Sequence, residues 1–289
     1  MLDQIDQQPD ERLFPYERWT PQLEELSNTY RNNTPFPHIH LTDFLNEAVA
    51  RQLVQEFPKP DDASWIQYKH YNENKLGKNE RNAFPPLIGQ IIDELNSPEF
   101  VTWLSELTGI LNLKADTSLE GGGMHQTERG GFLNVHADFI MHHHRKNWHR
   151  KCNLILYLNE GWEEQWGGSL QLWDSSMKRC VNDVSPLFNH VLMFNTSATS
   201  FHGYPDPIHC PDGTTRKSLA LYYYVVQSNS VSVPKSTLYH ARPGDGFGRS
   251  LLIFCDNNLL RFYSFIKSTF GLSDGFASRI LGAIFRKKK

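Results

Sequence analysis

GGFLNVHADF (130–139) is the stretch whose reading decides the fold. Two glycines turn the chain into a short apolar run, which ends on a histidine and an aspartate two residues apart. Four runs of the same kind follow it: CNLILYLN (152–159), GGSLQLWD (167–174), HVLMFNT (190–196) and RKSLALYYYVV (216–226). Short apolar or alternating runs bounded by Gly, Pro and Asn read as strands. Many such strands after helical segments predict a mainly-β α+β chain: a jelly-roll or cupin-like double-sheet barrel with N-terminal supporting helices outside it and a C-terminal helical extension.

Toward the N-terminus the character changes. Residues 1 to 35 are polar, with scattered prolines, and lead into a first helix near Pro21–Arg31. PFPHIHLTDFL (35–45) reads as a strand turning into a helix, with Asp43 as its cap and Leu45, Val49, Leu53 and Phe57 on its apolar face. Residues 61–82 fit strands or a long loop. Leu87, Ile91, Ile92, Leu95, Phe100, Leu104 and Leu107 predict helix from Pro86 to Leu107, broken near Ser97-Pro98. Toward the C-terminus, helical spacing is expected over 259–289, where Phe276, Ile280, Leu281, Ile284 and Phe285 form a stripe before Arg286-Lys287-Lys288-Lys289. Such a helix packs on the barrel or, on the alternative reading, touches an anionic membrane or partner. The expected division is 1–110 as tail and helical support layer of the same domain, 111–236 as barrel core and 237–289 as C-terminal extension. No internal repeat is present.

Bulk composition narrows the class. With 39% apolar and 21% charged residues the chain reads as globular rather than disordered. A net charge of −3 argues against a nucleic-acid partner. Cys152, Cys180, Cys210 and Cys255 are widely spaced and form no C-x-x-C pair, which speaks against a disulfide framework or structural zinc and for a reducing compartment. The acidic N-terminus lacks a secretory layout, and no apolar run reaches membrane-spanning length, so a cytoplasmic location is expected.

The chemistry begins at His136-Ala137-Asp138. Alternation on a strand points residues i and i+2 to one face, so His136 and Asp138 can chelate one ion. Two histidines and one carboxylate on one face of an octahedron is the ferrous oxygenase arrangement. One H-x-D is expected by chance in a chain with 13 histidines, to about that order, so the motif needs support. His202 supplies it, following the strand HVLMFNT and a small-residue turn. On RKSLALYYY, Arg216, Ser218, Ala220, Tyr222 and Tyr224 share one face. A buried guanidinium with a hydroxyl beside it makes a clamp for a small carboxylate. Tyr157 shares a face with Asn153 and Ile155 and offers a phenol to the same carboxylate. MHHHRKNWHRK (141–151) reads as a polar loop at the cavity mouth, because adjacent histidines on a strand point apart; Trp148 and nearby bases are candidates for substrate contact there.

In this order, H-x-D, then Tyr157-Leu158-Asn159, then Gly167-Gly168-Ser169-Leu170-Gln171-Leu172, then His202, then Arg216-Lys217-Ser218, the motifs resemble the prolyl 4-hydroxylase-like branch of the Fe(II)/2-oxoglutarate-dependent oxygenases. The similarity covers roughly residues 115–226, and GGGMHQTERGGFLNVHADF resembles stand-alone bacterial or viral members. The resemblance implies a double-stranded β-helix, iron held by His136, Asp138 and His202, and 2-oxoglutarate gripped by Arg216 with Ser218, Tyr157 and Asn153 near it. It implies support by L-ascorbic acid, which commonly keeps the iron of such enzymes reduced, and an aliphatic hydroxylation that converts 2-oxoglutarate and O2 to succinate and CO2. Where several relatives carry a tyrosine upstream of H-x-D, this chain has His125-Gln126, one of which is expected to face the co-substrate. The competing readings are a cupin-like metal enzyme of another class, an isomerase or hydrolase, and a non-catalytic binding module. The prime substrate, whether peptide, protein residue or metabolite, is not legible.

Overall fold

The computed structural model describes residues 12–227 and 236–270. The helices and strands run α1 (Tyr16–Trp19), α2 (Leu23–Asn32), β1 (His38–Leu41), α3 (Glu47–Glu56), β2 (Ile66–His70), β3 (Glu73–Lys78), α4 (Pro86–Leu95), α5 (Pro98–Thr108), β4 (Lys114–Ala115), β5 (Gly123–Thr127), β6 (Phe132–Ala137), β7 (Trp148–Tyr157), β8 (Leu170–Trp173), β9 (Cys180–Val184), β10 (His190–Asn195), β11 (His202–Tyr204), β12 (Arg216–Val226), β13 (Leu238–Tyr239) and α6 (Phe247–Phe270).

The strands form one antiparallel path, β1-β10-β7-β12-β5-β3-β6-β11-β8-β9, with β2, β4 and β13 attached at its side. The path curls into a near-closed barrel of double-stranded β-helix type. Its two ends meet through side chains: Asn182 on β9 donates to the Thr34 carbonyl (2.8 Å) and lies 3.1 Å from the His38 ring on β1. Strand alternation sorts the core. Leu154, Leu156, Val191, Met193, Leu219 and Leu221 point outward and join the helices in one apolar cluster. Tyr157, Leu172, Leu192, Phe194, Tyr204 and Ile208 point inward and plug one end of the barrel. A cavity occupies the rest of the interior.

Several local expectations meet the structure. The helical break sits where proline demands it: α4 stops at Leu95, and Ser97 caps α5 by accepting from Phe100 N–H (3.2 Å). Asp43 is not the cap of α3; it takes a left-handed φ of 52°, and the helix begins after Asn46. Strands β1, β2 and β3, all within 1–110, join the sheet rather than remaining outside it. The C-terminal helix begins at Phe247, earlier than the expected 259. The stripe 276–285 and the basic residues after it lie outside the described residues, as do residues 1–11. The four cysteines are free. Among the described residues no helix is long and apolar enough to cross a membrane.

Candidate metal and co-substrate site

His136 is the last but one residue of β6, Asp138 follows the strand directly, and His202 opens β11. The two strands pair antiparallel with His202 opposite His136. Gly203 makes that pairing close: a Cβ there would stand 2.8 Å from the carbonyl oxygens of Leu133 and Asn134. The three side chains are buried, and their donor atoms all lie within 4.8 Å of one another. Both imidazole Nε2 atoms sit 3.5 Å from the Asp138 carboxylate.

The ring orientation defines the available lone pairs. His136 Nδ1 lies 2.9 Å from the Asn134 carbonyl, and His202 Nδ1 lies 2.9 Å from the Ser200 carbonyl. A carbonyl only accepts, so each Nδ1 carries the proton and each Nε2 presents its lone pair toward Asp138. Orientation of a ligating imidazole by a backbone carbonyl is a common outer-shell device in metal sites. Burial pushes the His202 imidazole down to about 4, against the opposing pull of Asp138, so it is neutral near pH 7. Burial would raise the Asp138 carboxyl, but Arg150 first, then His202 and His136, outweigh it and hold the group well below the usual carboxylate range. Two imidazole Nε2 atoms and one carboxylate therefore converge on one point.

Asp138 is itself held. Its Oδ2 accepts from Asn153 Nδ2 (2.8 Å) and from Arg150 Nη2 (3.0 Å). Arg150 Nε in turn donates to Asn153 Oδ1 (2.6 Å), and its guanidinium carbon stands 3.3 Å from the Tyr222 ring centroid. Arg150 was not singled out by strand alternation, which pairs it with the outward Cys152 and Leu154. A register shift is the reason: Tyr223 faces Cys152 while Tyr224 faces Arg150, leaving Lys151 as an extra residue in β7. This bulge reverses the parity and turns Arg150 into the barrel.

The triad lines a cavity of 240 Å³ that also contains Arg216, Ser218 and His125. Arg216 is buried, and its Nε donates to the Gly168 carbonyl (2.7 Å). Gly168 has φ +77° and no Cβ, which at that site would stand 3.2 Å from the Arg216 side chain, so the second glycine of the GG pair lets the arginine lie against the chain. The guanidinium carbon stands 4.2 Å from the Tyr204 ring centroid and 5.0 Å from that of Tyr157. Among the described residues no carboxylate pairs with it.

Residues 122–224 match the sequence profile of the 2OG-Fe(II) oxygenase superfamily. The chain is 26% identical over 205 residues to prolyl 3-hydroxylase OGFOD1 of Xenopus laevis, an alignment covering 67% of the chain and 36% of the relative. It thus spans about a third of the length of that curated relative. Among solved structures it resembles a Pseudomonas putida prolyl-4-hydroxylase (TM-score 0.50, 17% identity, 69% of this chain and 98% of the other). It also resembles a Trichoplax adhaerens prolyl hydroxylase crystallised with a hypoxia inducible factor peptide fragment (TM-score 0.51, 16% identity, 71% and 91%). At these identities the structures share the fold.

The matched profile implies iron(II) and 2-oxoglutarate, and the residues present fit both. The lone pairs at the triad suit a divalent ion, and Arg216 supplies an uncompensated cation in the same cavity. Of the His125-Gln126 pair, His125 lines the cavity, opposite Ser218 on β12. Burial, with Lys75 adding to it, pushes its imidazole down to about 3. Gln126 faces away: its amide donates to the Pro58 carbonyl (3.0 Å) and accepts from Thr215 (2.9 Å). Of the two residues, His125 is therefore the one on the cavity side. Asn153 lines the cavity but is engaged with Asp138. Tyr157 lies in the apolar plug, and its hydroxyl has no hydrogen-bond partner among the described residues. In the 141–151 stretch, Arg150 and His143 reach the cavity, whereas Trp148 packs on Tyr224 and Arg145.

Sequence reading also missed two walls. The β2–β3 hairpin contributes Tyr68, His70, Glu73 and Lys75. The C-terminal segment contributes Thr237, Tyr239 and Leu260, with Tyr239 placed opposite His136 by β13–β6 pairing. Neither stretch carries a motif, and only the closed barrel brings them to the site.

Proposed function

We propose that this chain is an iron(II)- and 2-oxoglutarate-dependent hydroxylase of aliphatic C–H bonds, acting on a prolyl residue of a peptide or protein. The observation that carries the reading is one cavity holding both a convergent His-Asp-His donor set and a buried guanidinium that pairs with no carboxylate among the described residues. The names of the relatives support the prolyl substrate.

In this reading His136, Asp138 and His202 hold the metal, which supplies the oxidising chemistry when 2-oxoglutarate and O2 are present. Arg150 and Asn153 keep Asp138 in one orientation. Arg216 grips the distal carboxylate of 2-oxoglutarate, and Ser218 offers its hydroxyl to the same group. His125, neutral by burial, adds a ring nitrogen without adding charge. The apolar plug and the Tyr239 wall limit water around the reacting groups.

Removing the cationic half of a buried charge pair costs roughly 2–5 kcal/mol. Arg216→Ala should therefore weaken 2-oxoglutarate binding by at least about thirtyfold. Anaerobic titration of the iron(II) protein, followed by the visible iron-to-keto-acid charge-transfer band, measures this. Asp138→Ala should lose the band and succinate formation together. An unchanged affinity in the first variant, or a retained band in the second, rejects the assignment.

A further inference from the structure

We infer that the charge of Arg150 biases the iron toward its ferrous state, so that the site keeps active iron with little help from an external reductant. This rests on the reading of His136, Asp138 and His202 as the iron ligands. The starting point is an asymmetry among the three. Each imidazole is held by a neutral backbone carbonyl, at 2.9 Å in both cases. The carboxylate alone faces a full cation, with Arg150 Nη2 at 3.0 Å from Asp138 Oδ2. Among the described residues Arg150 pairs with no other carboxylate. Orientation does not call for that cation, because Asn153 Nδ2 already donates to the same oxygen at 2.8 Å. Burying a guanidinium is costly, so the charge itself needs an account.

The surroundings preserve both the charge and its reach. Arg150 is 1% exposed, and its guanidinium carbon lies 3.3 Å from the Tyr222 ring centroid and 5.0 Å from that of Phe139. A guanidinium stays protonated at any working pH, and beside two rings water and salt screen it little. Its place is fixed from two sides. The Arg150 backbone N–H donates to the Ile140 carbonyl (2.7 Å), and Nε donates to Asn153 Oδ1 (2.6 Å). That same oxygen accepts from Thr196 Oγ1 (3.1 Å). Asp138 must therefore share one negative charge between Arg150 and the metal. Coulomb energy scales with the product of charges, so a fixed cation penalises Fe(III) more than Fe(II). In a failed turnover Fe(II) loses one electron to dioxygen, giving Fe(III) and superoxide. Arg150 makes that loss harder, and it makes the return of one electron from a reductant such as ascorbate easier. Charge and hydrogen bonds around the ligands are the levers a protein has on such a potential.

Mediated redox titration of the iron-loaded protein, read by the ferric EPR signal, tests this without turnover. Arg150→Gln keeps a donor but no charge. At a set potential its ferric-to-ferrous ratio should rise at least about tenfold, a midpoint lower by about 59 mV for one electron. Arg150→Met keeps the length, leaves no donor unpaired and should shift the same way, so either neutral variant suffices if the other does not fold. Arg150→Lys keeps the charge and changes the geometry; its ratio should stay within about threefold of the wild type. In 2-oxoglutarate decarboxylation without prime substrate or ascorbate, the neutral variants should stop at least about threefold sooner than the wild type. Added ascorbate should restore them. Neutral variants that keep the iron-to-keto-acid band and an unmoved midpoint overturn the inference and leave the iron and 2-oxoglutarate reading intact. A lysine variant shifted as far as the neutral ones also overturns it, because geometry rather than charge then sets the potential. A wild type that gives no band on anaerobic addition of iron(II) and 2-oxoglutarate rejects that reading, and the inference with it.

Discussion

The N-terminal helices and the β13–α6 segment both pack against the barrel, yet they are held by different forces. Phe14, Trp19, Tyr30, Ile88, Phe100 and Trp103 enter one cluster with the outward leucines of β7 and β12. Ring contacts run through it, with Phe14 at 5.0 Å from both Phe100 and Trp103. The C-terminal segment is attached by directional bonds. His70 donates to Asp256 and to Glu73 (2.8 Å each), Asn72 donates to Asp256 (2.5 Å), and Arg249 reaches Asn134 (3.2 Å). The Asn257 amide takes both backbone groups of Tyr239, accepting from its N–H (2.9 Å) and donating to its carbonyl (2.8 Å). Apolar burial is non-directional and scales with area, so it belongs to the cooperative core. A polar latch holds one geometry and opens locally at a lower free energy than the whole fold. The wall that opens most readily is thus the one beside His136.

The largest expected effect lies in the apolar layer. Phe100→Ala should cost about 3–5 kcal/mol of global stability, read as a lower denaturant midpoint by circular dichroism. A loss under about 1 kcal/mol would erase the contrast. An intermediate effect comes from pH. Burial opposes charging of His70, but Glu73 and Asp256 prevail and push it up to about 9. A folded-state value above the unfolded 6.5 means the latch contributes fully below about pH 6.5 and is lost as pH rises through about 9. Amide exchange in β13 and α6, corrected for intrinsic rates, should therefore accelerate between those limits while α4 and α5 stay protected. Equal acceleration in both regions would contradict the division. The smallest change is Asn257→Ala, worth about 1–2 kcal/mol for two hydrogen bonds. It should speed exchange at the Tyr239 amide and leave the denaturant midpoint nearly unmoved; a large midpoint shift would make the segment part of the core.

Legibility followed the same boundary. The parity of β12 could be read directly, because Arg216, Ser218, Ala220 and Tyr222 alternate without interruption, and all four line the cavity. The break at Ser97-Pro98 was equally plain. Arg150 was hidden by a single bulge, and Gln126 was separated from His125 only by the face each takes. The start of α6 was missed because its first turns reverse the usual pattern: Asp256 and Asn257 are inside, and Phe247 and Phe254 are outside. Periodicity assigns the apolar stripe to the core, so it offered no sign of a helix packed on its polar face.

By itself the sequence determined which residues share a face along an uninterrupted strand, since alternation is a property of the backbone, and the strand character of the five runs between 130 and 226. It also determined that a histidine, an aspartate and a second histidine stand near strand ends in the order of the oxygenases whose motifs it resembles. Tertiary structure alone decided which of them meet. It brought β11 onto β6, turned Arg150 inward, and placed Tyr239 and the β2–β3 hairpin as walls. Those outcomes depend on register, a bulge and a glycine-tight approach between strands far apart in the chain, and spacing along one strand carries no information about its distance from another.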